Sequence, residues 1–285
     1  MIEGASPALA PVDLTGLPDL DPAWSRFVRV TDLDGIERTW HVLDNQVEPT
    51  VGTMLCVHGN PTWSFLWRRF LAHAAPGWRV VAVDHLGMGL SERLTEPRRL
   101  ADRIADLGGL TDALGITGPV VTVAHDWGGL ISLGWAQAHR DQLLGLVLTN
   151  TGVDLPRGSS APGPIRFARL AALRDTVCVR TPVFLRGATA LSRPALPRDV
   201  RRGLELPYGS ADRRQAIGDF VADIPVEDGH PTRAALDALV AGMPTLADLP
   251  ALLVWGPRDP VFTERQLDDL LERLPRADVQ RYPRA

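Results

Sequence analysis

The hexapeptide Ala124-His125-Asp126-Trp127-Gly128-Gly129 decides the fold reading. An apolar run from Pro119 to Ala124 leads into it, and an amphipathic helical pattern from Gly128 leads out. A sharp strand-to-helix turn brings two backbones too close for large side chains two residues before and two after its apex. Ala124 and Gly128 meet that demand, which puts Asp126 at the apex, the position of a nucleophile. No Gly-x-Ser-x-Gly pentad occurs in the chain, so serine acyl chemistry is not what this turn offers. A carboxylate at the apex is suited to displacing a good leaving group at saturated carbon, forming an alkyl ester with the protein. Read alone, Asp126 is also compatible with a plain helix N-cap.

Outward from the hexapeptide, Thr53 to Val57, Arg79 to Val83, Pro119 to Ala124, Leu144 to Leu148 and Ala251 to Trp255 are short, nearly continuous apolar runs. That composition suits parallel strands buried on both faces. Helix-length segments separate most of them: Trp63 to Ala74, Leu100 to Leu114, Gly128 to His139 and Glu264 to Leu274. Thr263 with Gln266 gives the last of these a capping-box start. Arg26 to Val30 and Arg38 to Leu43 flank the turn-rich Asp32-Leu33-Asp34-Gly35 and read as an opening hairpin. The alternation predicts a doubly wound α/β sheet. Four segments are expected. Residues 1–24, rich in proline, form a surface arm, and residues 25–151 the first part of the core. Residues 152–231 form an inserted helical cap, since a structureless loop of that length is uncommon. Residues 232–285 form the second part of the core.

The chain has 285 residues, 45% of them hydrophobic, enough for one large core. Its 30 basic and 34 acidic residues are interleaved, with a net charge of −4, so a nucleic-acid partner is not expected. Every basic residue is arginine, and the lack of lysine excludes Schiff-base and P-loop lysine chemistry. Cys56 and Cys178 match no metal-binding spacing, so neither a metal nor a disulfide framework is expected, and no cofactor is implied. A reducing compartment fits them. Met1-Ile2-Glu3-Gly4 opens no signal-peptide pattern, and no run of about 18 apolar residues occurs. The expectation is a cytoplasmic protein.

A second motif, His58-Gly59-Asn60-Pro61, directly follows an apolar strand and precedes a helix, where an oxyanion-binding loop belongs. Backbone N–H groups of Asn60 and Trp127 would converge near Asp126. Their side chains add an amide N–H and an indole N–H, neutral donors suited to a departing anion. The plainer alternative is a proline turn beside a core tryptophan. His58 and His125 read as hydrogen-bonded scaffolding, and Cys56 as a small core residue.

These blocks, together with Thr62-Trp63-Ser64-Phe65-Leu66-Trp67-Arg68 and Asp84-His85-Leu86-Gly87-Met88-Gly89-Leu90-Ser91, resemble the haloalkane dehalogenase branch of the α/β-hydrolase family. The resemblance runs from about Val28 onward. It implies an α/β-hydrolase fold with a helical cap, Asp126 as nucleophile, and Asn60 with Trp127 as the clamp on the leaving anion. It also implies an acid after the sixth or the seventh strand. Asn150 occupies the first place and is no acid, whereas Asp259, in Gly256-Pro257-Arg258-Asp259-Pro260, occupies the second. Within that branch, Asn150-Thr151-Gly152, Leu191-Ser192-Arg193 and Phe220-Val221-Ala222-Asp223-Ile224-Pro225 resemble the β-lactone decarboxylases of bacterial olefin biosynthesis. The preferred expectation is therefore decarboxylation of a cis-3,4-dialkyl β-lactone to a cis-alkene, a small hydrophobic substrate. Haloalkane dehalogenation is the alternative. Epoxide hydrolysis and a degenerate, non-catalytic module stand behind it.

In this family a histidine base follows the eighth strand, and here the candidate strand Ala277 to Tyr282 is followed only by Pro283-Arg284-Ala285. The expectation is a fragment of a longer polypeptide, with the base and a closing helix just past Ala285. A fusion or complex with a β-lactone synthetase is in keeping with the resemblance. Membrane contact is left open, since the arginines of the cap read equally as a solvated face.

Overall fold

The computed structural model describes residues 12–153 and 171–285. Eight strands among them form one sheet: β1 (Ser25–Thr31), β2 (Glu37–Asp44), β3 (Gly52–Val57), β4 (Trp78–Val83), β5 (Val120–His125), β6 (Leu143–Thr149), β7 (Ala251–Trp255) and β8 (Ala277–Arg281). Their spatial order is β1-β2-β4-β3-β5-β6-β7-β8. β1 and β2 form the expected antiparallel hairpin, β2 lies antiparallel to β4, and every pairing beyond that is parallel. The chain winds first to one side of β3 and then to the other, so a crevice opens beyond the carboxyl ends of β3 and β5, where α/β sheets place their ligands.

The helices fall where the sequence puts them: α1 (Arg68–Ala72), α2 (Leu100–Ala113), α3 (Trp127–Ala138) and, near the end, α9 (Glu264–Arg273). Thr263 and Gln266 make the expected capping box on α9. Between β6 and β7 lie α4 (Ala171–Arg174), running into a π-helical turn (Asp175–Arg180), then α5 (Val183–Ala190), α6 (Arg198–Glu205), α7 (Ala211–Ala222) and α8 (Arg233–Gly242). Arg166 and Arg169, which the sequence places in the expected cap, lie outside the described residues. Arg180 and Arg186 pair with Asp175 and Glu205 as mostly solvated ion pairs. Helix α8 has no counterpart in the sequence reading, although Leu236 and Leu239 supply its buried stripe.

The central strands are buried on both faces: Val57, Val83, Ala124, Leu148 and Trp255 are wholly or almost wholly inaccessible. The amino-terminal arm is only in part superficial. Leu14 is 2% exposed, and Val12, Leu17 and Leu20 pack beside the core. Proline had masked this contact, because an isolated leucine in an irregular segment carries no period to read. No helix among the described residues is long and apolar enough to cross a membrane.

An ion cluster ties the hairpin to α2. Arg98 reaches Asp32, Asp34 and Asp106 at 2.6, 2.6 and 3.0 Å, and Arg38 takes Asp32 from the other side at 2.8 Å. Burial pushes Asp106 up to about 6, and Arg98 opposes that shift. Removing Arg98 leaves buried carboxylate uncompensated, a change that costs about 3 kcal/mol. Urea unfolding of Arg98→Met at pH 7.5 is expected to show a loss of that size. At pH 5 Asp106 holds its proton in the folded state, so the loss shrinks; an equal loss at both pH values contradicts this account.

Candidate active site

Asp126 ends β5 and opens α3 with φ 54° and ψ −128°, a backbone conformation that only a tightly constrained turn imposes on a side-chain-bearing residue. Three contacts fix it. Asp126 N–H donates to Asn150 O at 3.2 Å, the Thr151 hydroxyl donates to Asp126 O at 2.7 Å, and Gly129 N–H donates to the same carbonyl at 2.9 Å. A Cβ on Gly128 would overlap the Val57 and His58 carbonyls, and one on Gly129 would overlap Thr151. The small residues read from the sequence are therefore demanded by the neighbouring strand end and the Thr151 loop.

The Asp126 carboxylate lies across the backbone of Gly59, where a side chain would collide with it. Asn60 N–H donates to Oδ1 at 2.7 Å, and Trp127 N–H faces the same carboxylate. Burial raises the Asp126 pKa; His125 and the two backbone donors oppose that rise, and Asp259 adds to it. Backbone donors thus hold the carboxylate, Oδ1 taking the Asn60 N–H, and no side chain among the described residues bonds Oδ2. A carboxylate held in this way is arranged as a nucleophile.

Asn60 and Trp127 meet at this carboxylate through their backbones, while their side chains do different things. Asn60 Nδ2 donates to Ile217 O of α7 at 3.1 Å, leaving one amide N–H, and Oδ1 is buried without a donor. The Trp127 indole N–H makes no hydrogen bond among the described residues; its ring meets Phe220 of α7 edge-on at 5.6 Å. Asp259 sits in the loop after β7. Its Oδ1 accepts Val261 N–H and Phe262 N–H at 2.7 and 3.0 Å, and its Oδ2 accepts the Asn150 amide at 3.2 Å. Asn150, set aside in the sequence as no acid, is what holds that acid. It also exchanges hydrogen bonds with both backbone groups of Gly256. Its φ of 30° marked nothing in the sequence.

Neither His58 nor His85 is poised to take a proton. His58 Nδ1 bonds Gly59 O at 2.8 Å, and His85 Nε2 donates to His58 O at 2.8 Å. Burial lowers the pKa of both, that of His85 well below the ordinary range, so they stay neutral. Asp84 pairs with His41 at 2.7 Å rather than with its neighbour His85. It also accepts Ser64 N–H and Leu90 N–H, tying the loops after β3 and β4 together. No cluster of metal-ligating side chains occurs among the described residues.

The family defined by the alpha/beta hydrolase fold matches residues 52–285. A cis-3-alkyl-4-alkyloxetan-2-one decarboxylase of Xanthomonas campestris is 34% identical over 239 residues, covering 80% of each chain. The protein of the same name from Shewanella oneidensis is 30% identical over 85% of this chain and 77% of its own. Haloalkane dehalogenase 2 of Mycobacterium tuberculosis is 31% identical over 93% of this chain and 92% of its own. Among solved structures, haloalkane dehalogenase DpaA from Paraglaciecola agarilytica superposes with a TM-score of 0.80 at 22% identity, covering 99% of this chain and 92% of that one.

Two substitutions test the site. Because burial raises the Asp126 pKa, the ionised form costs folding free energy above that pKa, and the cost is absent once the proton is bound. Asp126→Asn keeps an acceptor for Asn60 N–H and removes the charge. It is expected to melt above the parent at pH 7.5, by a margin that fades as the pH falls through the Asp126 pKa. Gly59→Ala displaces the carboxylate and is expected to lower kcat by about 100-fold with circular dichroism unchanged; near-parental turnover would mean that the carboxylate position is not what the reaction needs.

Proposed function

The chain belongs to the alpha/beta hydrolase fold family, and from that premise we propose that it is a cis-3-alkyl-4-alkyloxetan-2-one decarboxylase with Asp126 as nucleophile. The observation that carries this reading is the hold on the Asp126 carboxylate: Oδ1 takes the Asn60 N–H, the Trp127 N–H faces the same group, and no side chain among the described residues bonds Oδ2. The two relatives of that name support the choice of substrate.

Oδ2 attacks the ring carbon C4 from the side opposite the ring oxygen, the C4–O bond breaks, and the lactone opens to a carboxylate on C3. The Trp127 indole N–H and the remaining Asn60 amide N–H hold that carboxylate as its charge appears. The C3–carboxylate bond then breaks; its electron pair forms the C3=C4 double bond and expels the Asp126 oxygen. Carbon dioxide leaves and the Asp126 carboxylate is restored. Inversion at C4 followed by anti elimination converts a cis-lactone into a cis-alkene. The backbone cradle assists the second step, because it stabilises charge returning to Asp126.

This cycle consumes no water. Haloalkane dehalogenation, the second reading, is favoured by the mycobacterial relative and uses the same first step, with halide departing toward Trp127. Its ester must then be hydrolysed by a base-activated water. Asp259, held by Asn150, is the partner for that base. Arg258 N–H donates to Ala285 O, which holds that residue against the loop carrying Asp259. A lactone synthetase, fused or bound, would supply the substrate. A cytoplasmic setting goes with the buried free thiols of Cys56 and Cys178.

Turnover in ¹⁸O-water separates the two chemistries. With a cis-dialkyl β-lactone, alkene is expected by gas chromatography, and the peptide carrying Asp126 stays unlabelled after many turnovers. Bromide release from a 1-bromoalkane with ¹⁸O entering Asp126, and no alkene from the lactone, would replace this reading with the dehalogenase one.

A further inference from the structure

Helix α7 touches the site twice, and on the side facing the site one arginine of α2 braces it. Ile217 O takes the Asn60 amide at 3.1 Å, and three residues on, Phe220 meets Trp127 edge-on. Against them lies Arg103 of α2, a guanidinium only 5% exposed. It stacks on Phe220 with 3.8 Å from its central carbon to the ring centroid, and stands 5.4 Å from the Trp127 ring. Its Nη1 bonds Asp223, the C-cap residue of α7, at 2.5 Å. Asp223 is closed off by Arg99 and by the Thr232 hydroxyl. Burial lowers the Arg103 pKa, with Asp223 and Asp219 opposing, yet a guanidinium remains charged.

A buried arginine is costly unless its placement is used. A carboxylate would be satisfied by any cation, but the two aromatic faces need a flat one, and a guanidinium lies flat on a ring where an ammonium cannot. We propose that Arg103 is a positioning residue for the anion-holding edge of the site: by locking α7 through Phe220 and Asp223, it fixes the Trp127 indole and the Asn60 amide as donors. The proposal rests on the anion-holding role given to those two side chains above. Arg103 touches no reacting atom; it acts through the two donors. The positive charge over the indole also strengthens the Nε1–H as a donor, so its loss weakens anion binding beyond what looseness of the helix would do.

The test measures bromide, a simple anion, by titration of intrinsic fluorescence in the parent, Trp127→Phe, Arg103→Met and Arg103→Lys. The parent is expected to show a saturable quench that Trp127→Phe abolishes. Arg103→Met is expected to weaken bromide about tenfold, the scale of a desolvated cation–π contact, and Arg103→Lys to fall between. In turnover, the same variants lower kcat more than they raise KM, because the anion exists only after the bond has broken. Arg103→Lys keeps the buried charge paired with Asp223 and so serves if the Met variant does not fold. Parental bromide affinity in both variants would overturn the role of Arg103 alone. No Trp127-dependent quench in the parent would overturn the anion-holding reading, and this proposal with it.

Discussion

The turn at Asp126 is the constraint on which the site depends. A side-chain-bearing residue at φ 54° is stable only if its surroundings hold it there, and they do so from three sides. The Val57 and His58 carbonyls press where Gly128 has no side chain, Thr151 presses where Gly129 has none, and Gly59 leaves room for the carboxylate itself. Each glycine belongs to a different contact. The strain is stored at one residue and offset by the packing of β3, β5 and the loop after β6.

Around this turn the polar groups of the core act as braces. Asp84 binds His41 and two loop N–H groups, and the neutral His58 and His85 rings, tilted against each other with centroids 4.5 Å apart, link the ends of β3 and β4. Such groups are tolerated without water because each finds a partner. The same logic keeps His58 and His85 from serving as proton acceptors. Near the turn, His58 Nδ1 and His85 Nε2 are spent on backbone carbonyls and His58 Nε2 accepts the His85 N–H, while His125 Nδ1 is buried without a hydrogen-bond partner.

The insert between β6 and β7 contributes through contacts rather than through chemistry of its own. Helix α7 carries no group that reacts, yet its Ile217 carbonyl and Phe220 ring settle where two donors point. A carbonyl contact has no residue signature, since any amino acid supplies one, so this part of the site could not be read from the chain. Phe220 was visible only as part of a resembling block.

What the sequence determined by itself is the order of elements and the residue at the apex. Apolar runs of strand length, alternating with helical periods, dictate a parallel sheet because each strand must be buried on both faces. Ala124, Gly128 and Gly129 around Asp126 dictate the turn, because only small residues fit it. The burial of Leu14, the hold of Asn150 on Asp259 and the lock made by Arg103 were decided by the tertiary structure alone. Each is a contact between segments far apart in the chain, and its energy comes from burial and geometry that no local period records. The sequence could single out Asp126, Asn60 and Trp127; only the fold could say which of their atoms face the carboxylate and which are spent elsewhere.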